Sequence, residues 1–116
     1  MKVSFEEIGA VTATFYAEEG VEGGQVVQVT GDGTVGACAV GDRFCGAALA
    51  VAGDRMAAVQ VGGFCTLKAG SGVAPGWAGL AADGAGGVRT AAEGETGREC
   101  LVVSVDAAAG TAVVLL

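Results

Sequence analysis

The residue types that most often carry out catalysis are scarce in this sequence. The chain of 116 residues contains no histidine, which is the commonest general base and the usual partner of a serine or cysteine nucleophile. Its densest acidic group, Glu18, Glu19 and Glu22, lies in the glycine-flanked stretch EEGVEGG, which is typical of a solvent-exposed loop. The sequence therefore predicts no catalytic residue and no enzymatic activity.

Metal and cofactor sites are equally unsupported by the spacing of possible ligands. The aspartates at the glycine-rich turns, Asp32, Asp42, Asp54 and Asp83, do not form the loop pattern that gathers six or more oxygens around Ca²⁺. We expect them to cap turns. The glycine-rich stretches lack the Lys-Ser/Thr ending of a phosphate-binding loop. No metal and no cofactor is predicted.

Four cysteines, Cys38, Cys45, Cys65 and Cys100, are spaced irregularly. No CxxC pair exists, so a tetrahedral zinc site would need four isolated thiolates. The chain also begins with a single lysine and two acids before any apolar run of signal-peptide length. Buried, reduced thiols are therefore expected in place of a disulfide framework.

Four residues are candidates for contact with a partner protein. Trp77, the only tryptophan, follows Pro75 and Gly76 and is either an exposed anchor or part of a core that has few large side chains. Arg43 and Arg55 occupy matching places after two Gly-Asp pairs, so both are expected at one rim of a sheet, facing solvent or a partner. Phe5 belongs to an acidic N-terminal segment.

Short valine-rich runs separated by turns dominate the rest of the chain. Residues 25–30 (QVVQVT) and 35–40 (VGACAV) flank the turn GDGT, and residues 100–105 (CLVVSV) and 111–116 (TAVVLL) flank DAAAG, so both pairs predict hairpins. Gly-Asp pairs at residues 31, 41 and 53 supply further turns.

This pattern indicates an all-β fold, a small single-domain barrel or sandwich of short antiparallel strands joined by Gly-Asp turns. We assign residues 1–20 to an N-terminal arm or edge segment and residues 21–116 to one β-barrel domain. One short helix or turn is the most that the alanine-rich stretches allow, because glycine interrupts them every few residues.

The charge of the chain limits its partners. Thirteen acidic and six basic residues give a formal charge of −7, which repels phosphate backbones and anionic lipid headgroups. No apolar run approaches the 18 or so residues of a transmembrane helix. We therefore expect neither nucleic acid nor a membrane as a partner.

Residues 22–69, EGGQVVQVTGDGTVGACAVGDRFCGAALAVAGDRMAAVQVGGFCTLKA, resemble the capsid cement or head decoration proteins of tailed phages and prophages. The likeness lies in the order of a glycine-led strand, a hairpin of the form vG.a..Gd.f.G and a vqv.G strand before a lysine. The later stretches GVAPGWAGL and LVVSVD are similar to the closing strands of that family.

The resemblance implies a small β-barrel virion protein that binds the major capsid protein on the capsid exterior and stabilises the shell. It further implies a homotrimer that is cytoplasmic in the bacterial host before assembly. Two alternatives remain open: a tail-associated or fibre-related virion component, and a barrel that binds a small ligand or carbohydrate through Trp77 and the loop at residues 69–76.

Overall fold

The structure is a computed structural model that describes residues 9–116, and over this range the fold is all-β. It forms one small domain, a barrel with a second sheet packed against it. The strands are β1 Val11–Ala17, β2 Val26–Gly31, β3 Thr34–Ala37, β4 Gly46–Val51, β5 Met56–Gly62, β6 Phe64–Lys68, β7 Gly76–Ala82, β8 Val88–Thr90, β9 Arg98–Asp106 and β10 Thr111–Leu115. No helix in this range is long and apolar enough to span a membrane.

The first five strands close into a barrel in the order β1-β3-β2-β4-β5. Closure depends on β1, which pairs antiparallel with β5 and parallel with β3, where Ala17 lies opposite Val35. The strand Val11–Ala17 falls within the segment that the sequence assigned to an N-terminal arm or edge. This part of the segment is a strand of the barrel that pairs along its length with β5, and at Tyr16 and Ala17 also with β3. Phe5 lies outside the described residues.

The second sheet has the order β6-β10-β9-β7-β8 and is antiparallel throughout its named pairs. The hairpin between β9 and β10 is the one that the sequence predicts, and it forms the centre of this sheet. The predicted hairpin between β2 and β3 is also present, in the barrel. Both regions read in the sequence as alternating valine runs around a short polar turn.

Two hydrophobic cores result, one inside the barrel and one between the barrel and the second sheet. Consecutive residues on the same barrel strand face different cores: Val27 and Ala48 point inward, whereas Val26 and Ala47 face the second sheet. Phe44, which is 1% exposed, is the largest side chain in the core between the two layers. These barrel strands are therefore buried on both faces where the second sheet covers them.

Gln60 shows what this second layer does to a polar residue. Its position on β5 alternates with the inward-facing Val59, so the sequence predicts an outward side chain. The side chain is nevertheless 6% exposed, and its amide nitrogen donates to the carbonyls of Gly62 (3.0 Å) and Phe64 (2.8 Å). Those bonds satisfy the buried amide and hold the turn that leads from the barrel to β6.

Arg98 links the two layers directly. It is the first residue of β9, and its guanidinium donates to the carbonyls of Cys45 and Val61 on the barrel side, the latter at 3.1 Å. The same group lies 5.9 Å from the centroid of the Phe44 ring, within the range of a cation–π contact. Barrel and sheet are thus joined by polar bonds as well as by the shared core.

The glycines of this fold differ in how much space they leave for a side chain, and Gly46 and Gly79 provide a matched pair of variants. A Cβ on Gly46 of β4 would lie 2.2 Å from the carbonyl oxygen of Gln60, whereas a Cβ on Gly79 of β7 would meet nothing within 4 Å. We expect Gly46→Ala to lower the free energy of unfolding by about 3 kcal/mol through overpacking. Gly79→Ala should leave it unchanged or raise it by up to about 1 kcal/mol, since it only restricts the unfolded chain.

Urea denaturation of both variants, with the same spectroscopic probe, measures this difference. Equal midpoints for Gly46→Ala and the wild type would contradict the close packing of β4 against β5.

Candidate functional site

The described residues contain no group of three or more His, Cys, Asp or Glu side chains that could hold a metal ion. Three of the four aspartates that the sequence predicts to cap turns, Asp42, Asp54 and Asp83, accept hydrogen bonds from backbone amides. Asp42 accepts hydrogen bonds from the amide of Ala39 (2.8 Å) and from Gln28 (2.7 Å), and Asp83 accepts them from Ala85 (2.7 Å) and Gly87 (3.0 Å). These carboxylates stabilise turns.

All four cysteine thiols are free. Burial raises the pKa of every one of them. Burial, reinforced by the nearby Asp42 carboxylate, raises the pKa of Cys38 to about 11. At neutral pH the thiols are therefore protonated, and the thiolate that a cysteine nucleophile requires is not formed.

The most conspicuous surface feature is a row of apolar side chains on the outer face of the second sheet. Trp77 on β7 lies directly opposite Leu101 on β9, and Leu101 lies directly opposite Leu115 on β10. We call these three residues the apolar row. Directly paired residues share one face of a sheet, and neighbouring strands lie about 4.8 Å apart, so the row spans about 10 Å across three strands.

Exposure within the apolar row is uneven. Trp77 is 70% exposed, and the side chains of Leu101 and Leu115 are half-buried. On the same face, Val113 of β10 is also half-buried, and it lies opposite Thr66 on one side and Ser104 on the other. The row thus belongs to a wider apolar area on this face.

Polar residues surround this apolar area on the outer face. Thr111 lies opposite Lys68 on β6 and opposite Asp106 on β9, while Glu99 lies opposite Gly79 near the other end of β9. All three charged side chains are exposed. An apolar centre surrounded by polar and charged groups is the usual composition of a protein–protein interface.

Arg55 lies elsewhere, and its guanidinium is directed at the protein. It donates to the carbonyls of Ala17 (3.3 Å), Glu18 (2.5 Å) and Val21 (3.1 Å), which fixes the loop that follows β1. Arg55 is also the one described residue other than glycine with a positive φ, at 69°. Its side chain is half-buried. Arg55 therefore stabilises a strained turn, a role that the Gly-Asp-Arg pattern alone does not reveal.

Arg43 differs from Arg55 in spite of their matching places in the sequence. Its side chain is exposed and lines an open pocket of about 410 Å³ together with Phe44, Cys45 and Arg98. Of the four residues that the sequence proposed as partner contacts, Trp77, Arg43 and Arg55 thus lie in three different surroundings. Phe5 is outside the range that the structure describes.

A second pocket, of about 370 Å³, lies between residues 69–73 and the β9–β10 hairpin, with Ser71, Asp106 and Thr111 among its lining residues. The ligand-binding alternative places Trp77 and the loop at residues 69–76 in one site. Trp77 is not among the lining residues of this pocket.

Sequence reasoning missed Leu101, Leu115 and Arg98 as surface determinants. The two leucines lie in valine-rich runs that read as core, and only the register of three strands places them beside Trp77. Arg98 carries a weak signal, since it is a charged residue at the start of the apolar strand RECLVVSVD.

The raised thiol pKa values predict slow chemistry at the cysteines. At pH 8 the native protein should react with the disulfide reagent DTNB about 100-fold more slowly at Cys38 than an unfolded thiol does, because a pKa near 11 in place of 9.0 reduces the thiolate fraction by that factor. The measurement compares the native protein with the protein in urea. A rapid reaction of Cys38 in the native protein would contradict its burial.

The strained turn at Arg55 predicts an unusual order of stabilities. Arg55→Ala loses three hydrogen bonds to carbonyls and keeps a Cβ at positive φ, so we expect the free energy of unfolding to fall by about 3 kcal/mol. Arg55→Gly loses the same bonds but relieves the backbone strain, and should be more stable than Arg55→Ala by about 1 kcal/mol.

Arg43→Ala serves as the control, since Arg43 is exposed and should change stability by less than about 0.5 kcal/mol. Denaturant unfolding measures all three variants. If Arg55→Ala proved as stable as Arg55→Gly, the strain at this position would be refuted.

No protein-family model matches the chain, and no curated protein matches it.

Proposed function

We propose that this protein is a phage virion structural protein, a capsid decoration or cement protein that binds the capsid exterior and stabilises it. The partner is the major capsid protein, which the outer face of the second sheet contacts. The protein is made in the cytoplasm of the bacterial host and acts as a homotrimer on the assembled head. It performs no catalytic turnover.

One observation carries the proposal: the apolar row, Trp77, Leu101 and Leu115, lies on the outer face of the second sheet, and its tryptophan is largely exposed. A tryptophan that is 70% exposed keeps a large apolar area in contact with water. Removing about 150 Å² of such area from water contributes about 4 kcal/mol to association. Tryptophan is also among the residues that most often dominate binding energy at interfaces.

The charge of the chain supports an exterior position. A formal charge of −7 disfavours contact with the packaged genome and keeps free copies apart in solution before they bind. The resemblance of residues 22–69 to cement proteins agrees with this placement. The mechanism is then mechanical: a rigid two-layer β domain that bridges capsid subunits adds buried area to the shell, so that separating the subunits requires more energy.

The matched variants Trp77→Ser and Tyr16→Ser test this proposal. Each removes one exposed aromatic side chain, but Trp77 is on the outer face of the second sheet and Tyr16, 49% exposed, is on the barrel, paired with Met56. We expect Trp77→Ser to weaken binding to shells of the cognate capsid protein by about 30-fold or more, a loss of about 2 kcal/mol. Tyr16→Ser should bind as the wild type does.

Co-sedimentation with assembled shells measures binding, and the melting temperature of the shell with and without added protein measures stabilisation. Failure of the wild type to sediment with shells, or to raise their melting temperature, would overturn the capsid assignment. Rings or tubes of the protein in electron micrographs would favour the tail-associated alternative. If Trp77→Ser and Tyr16→Ser weakened binding to shells equally, the outer face of the second sheet would not be the contact surface.

A further inference from the structure

Two arginines share one pocket at the junction of the barrel and the second sheet. Arg43 and Arg98 line an open pocket of about 410 Å³ together with Phe44 and Cys45, and we call it the arginine pocket. No aspartate or glutamate is among its lining residues. In a chain with thirteen acidic and six basic residues, a pocket lined by two arginines and by no acidic residue is unexpected.

The other arginines of residues 9–116 are satisfied within the protein. Arg89 forms an ion pair with Glu95 at 2.6 Å, and the hydrogen bond from Arg89 lowers the pKa of Glu95. Arg55 donates to three carbonyls. Arg43, by contrast, has no hydrogen bond or ion pair with any residue of the described chain, and Arg98 bonds only to uncharged carbonyl oxygens. The arginine pocket is therefore lined by two positive charges, neither of which forms an ion pair with a described residue.

Arg98 is already held in place for binding. Its two bonds to the carbonyls of Cys45 and Val61, and its position over the Phe44 ring, fix a side chain that would otherwise lose rotamer freedom on binding a ligand. A guanidinium carries five N–H donors, so donors remain after both carbonyl bonds are made. Arg43, on the exposed side, adds a second guanidinium that can approach a ligand from solvent.

The size and charge of the pocket decide which anion it suits. A long polyphosphate backbone is repelled by the net charge of −7, whereas a single carboxylate needs only the local field of the two arginines. The planar donor fork of arginine matches the two oxygens of a carboxylate.

We propose that the arginine pocket binds a carboxylate presented by a partner protein, an aspartate or glutamate side chain that inserts between Arg43 and Arg98. Identifying that partner as a capsid subunit rests on the proposed function, but the carboxylate site itself does not. The site lies on the barrel–sheet junction, so it gives the partner a second point of attachment besides the apolar row. A charged contact there fixes orientation, while the apolar row provides most of the affinity.

The test uses the isolated protein with small anions as probes. The side-chain Nε–Hε signals of Arg43 and Arg98 are followed by two-dimensional NMR during titration with sodium acetate, sodium phosphate and sodium chloride at matched ionic strength. We expect acetate to shift both signals until they saturate, with a lower dissociation constant than phosphate or chloride gives. Arg43→Gln should weaken acetate binding about tenfold at the Arg98 signal, since one charge-assisted contact is lost.

Lys68→Gln is the control, because it removes one exposed positive charge from the outer face of the second sheet and should leave acetate binding unchanged. Arg43→Lys, which keeps the charge but not the donor fork, should give an intermediate affinity. The proposal is overturned if acetate shifts the two signals no further than chloride does, or if phosphate binds more tightly than acetate. It is also overturned if Arg43→Gln and the control Lys68→Gln weaken acetate binding equally. None of these outcomes depends on the capsid experiment, so the two proposals fail separately.

Discussion

Burial of the barrel strands on both faces is the constraint on which the rest of this structure depends. Val26 and Ala47 face the second sheet while their neighbours Val27 and Ala48 fill the barrel, so one set of strands serves two cores. Both cores consist mainly of alanine and valine, and small side chains bring backbones close together. At Gly46 the approach to β5 leaves no room for even a methyl group. Close backbone contact thus takes the place of large anchoring side chains.

The same constraint explains the polar links between layers. Where one layer covers another, carbonyl oxygens at strand ends lose water and need donors from the protein. Arg98 and Gln60 supply those donors at the junction of the barrel and the second sheet. Arg55 does the same for the loop after β1. Half-buried cations in an acidic protein are thereby used to satisfy the backbone, and one of them, Arg98, lines the arginine pocket beside the exposed Arg43.

Much of the local structure could be predicted from the sequence, because hairpins and turns depend on neighbouring residues. The alternation in residues 100–105 and 111–116 predicts the central hairpin of the second sheet, and the aspartates at Gly-Asp pairs predict capped turns. The parallel pairing of β1 with β3, and the division into a barrel and a second sheet, could not be predicted in this way. Both depend on contacts between distant residues, which leave no local period in the sequence.

The candidate site was less predictable than the fold for the same reason. Trp77 was recognisable by its type, yet its neighbours Leu101 and Leu115 reach it only through the register of three strands. Arg43 and Arg55 looked equivalent after their Gly-Asp pairs, but a positive φ and three carbonyls give Arg55 a structural role. Residue type alone identified Trp77 in the apolar row, whereas Leu101 and Leu115 became apparent only from the pairing of strands that are distant in the sequence.

The position of β10 in the sheet order has a consequence for biosynthesis. β6 pairs with β10, although some forty residues separate the two strands in the chain, and Ala69, the residue after β6, also bridges Val88 of β8. While a ribosome is still translating, β6 therefore lacks its β10 neighbour, and the apolar row is incomplete because Leu115 has not yet been added. The outer face of the second sheet is thus completed last, after residues 111–115 have left the exit tunnel.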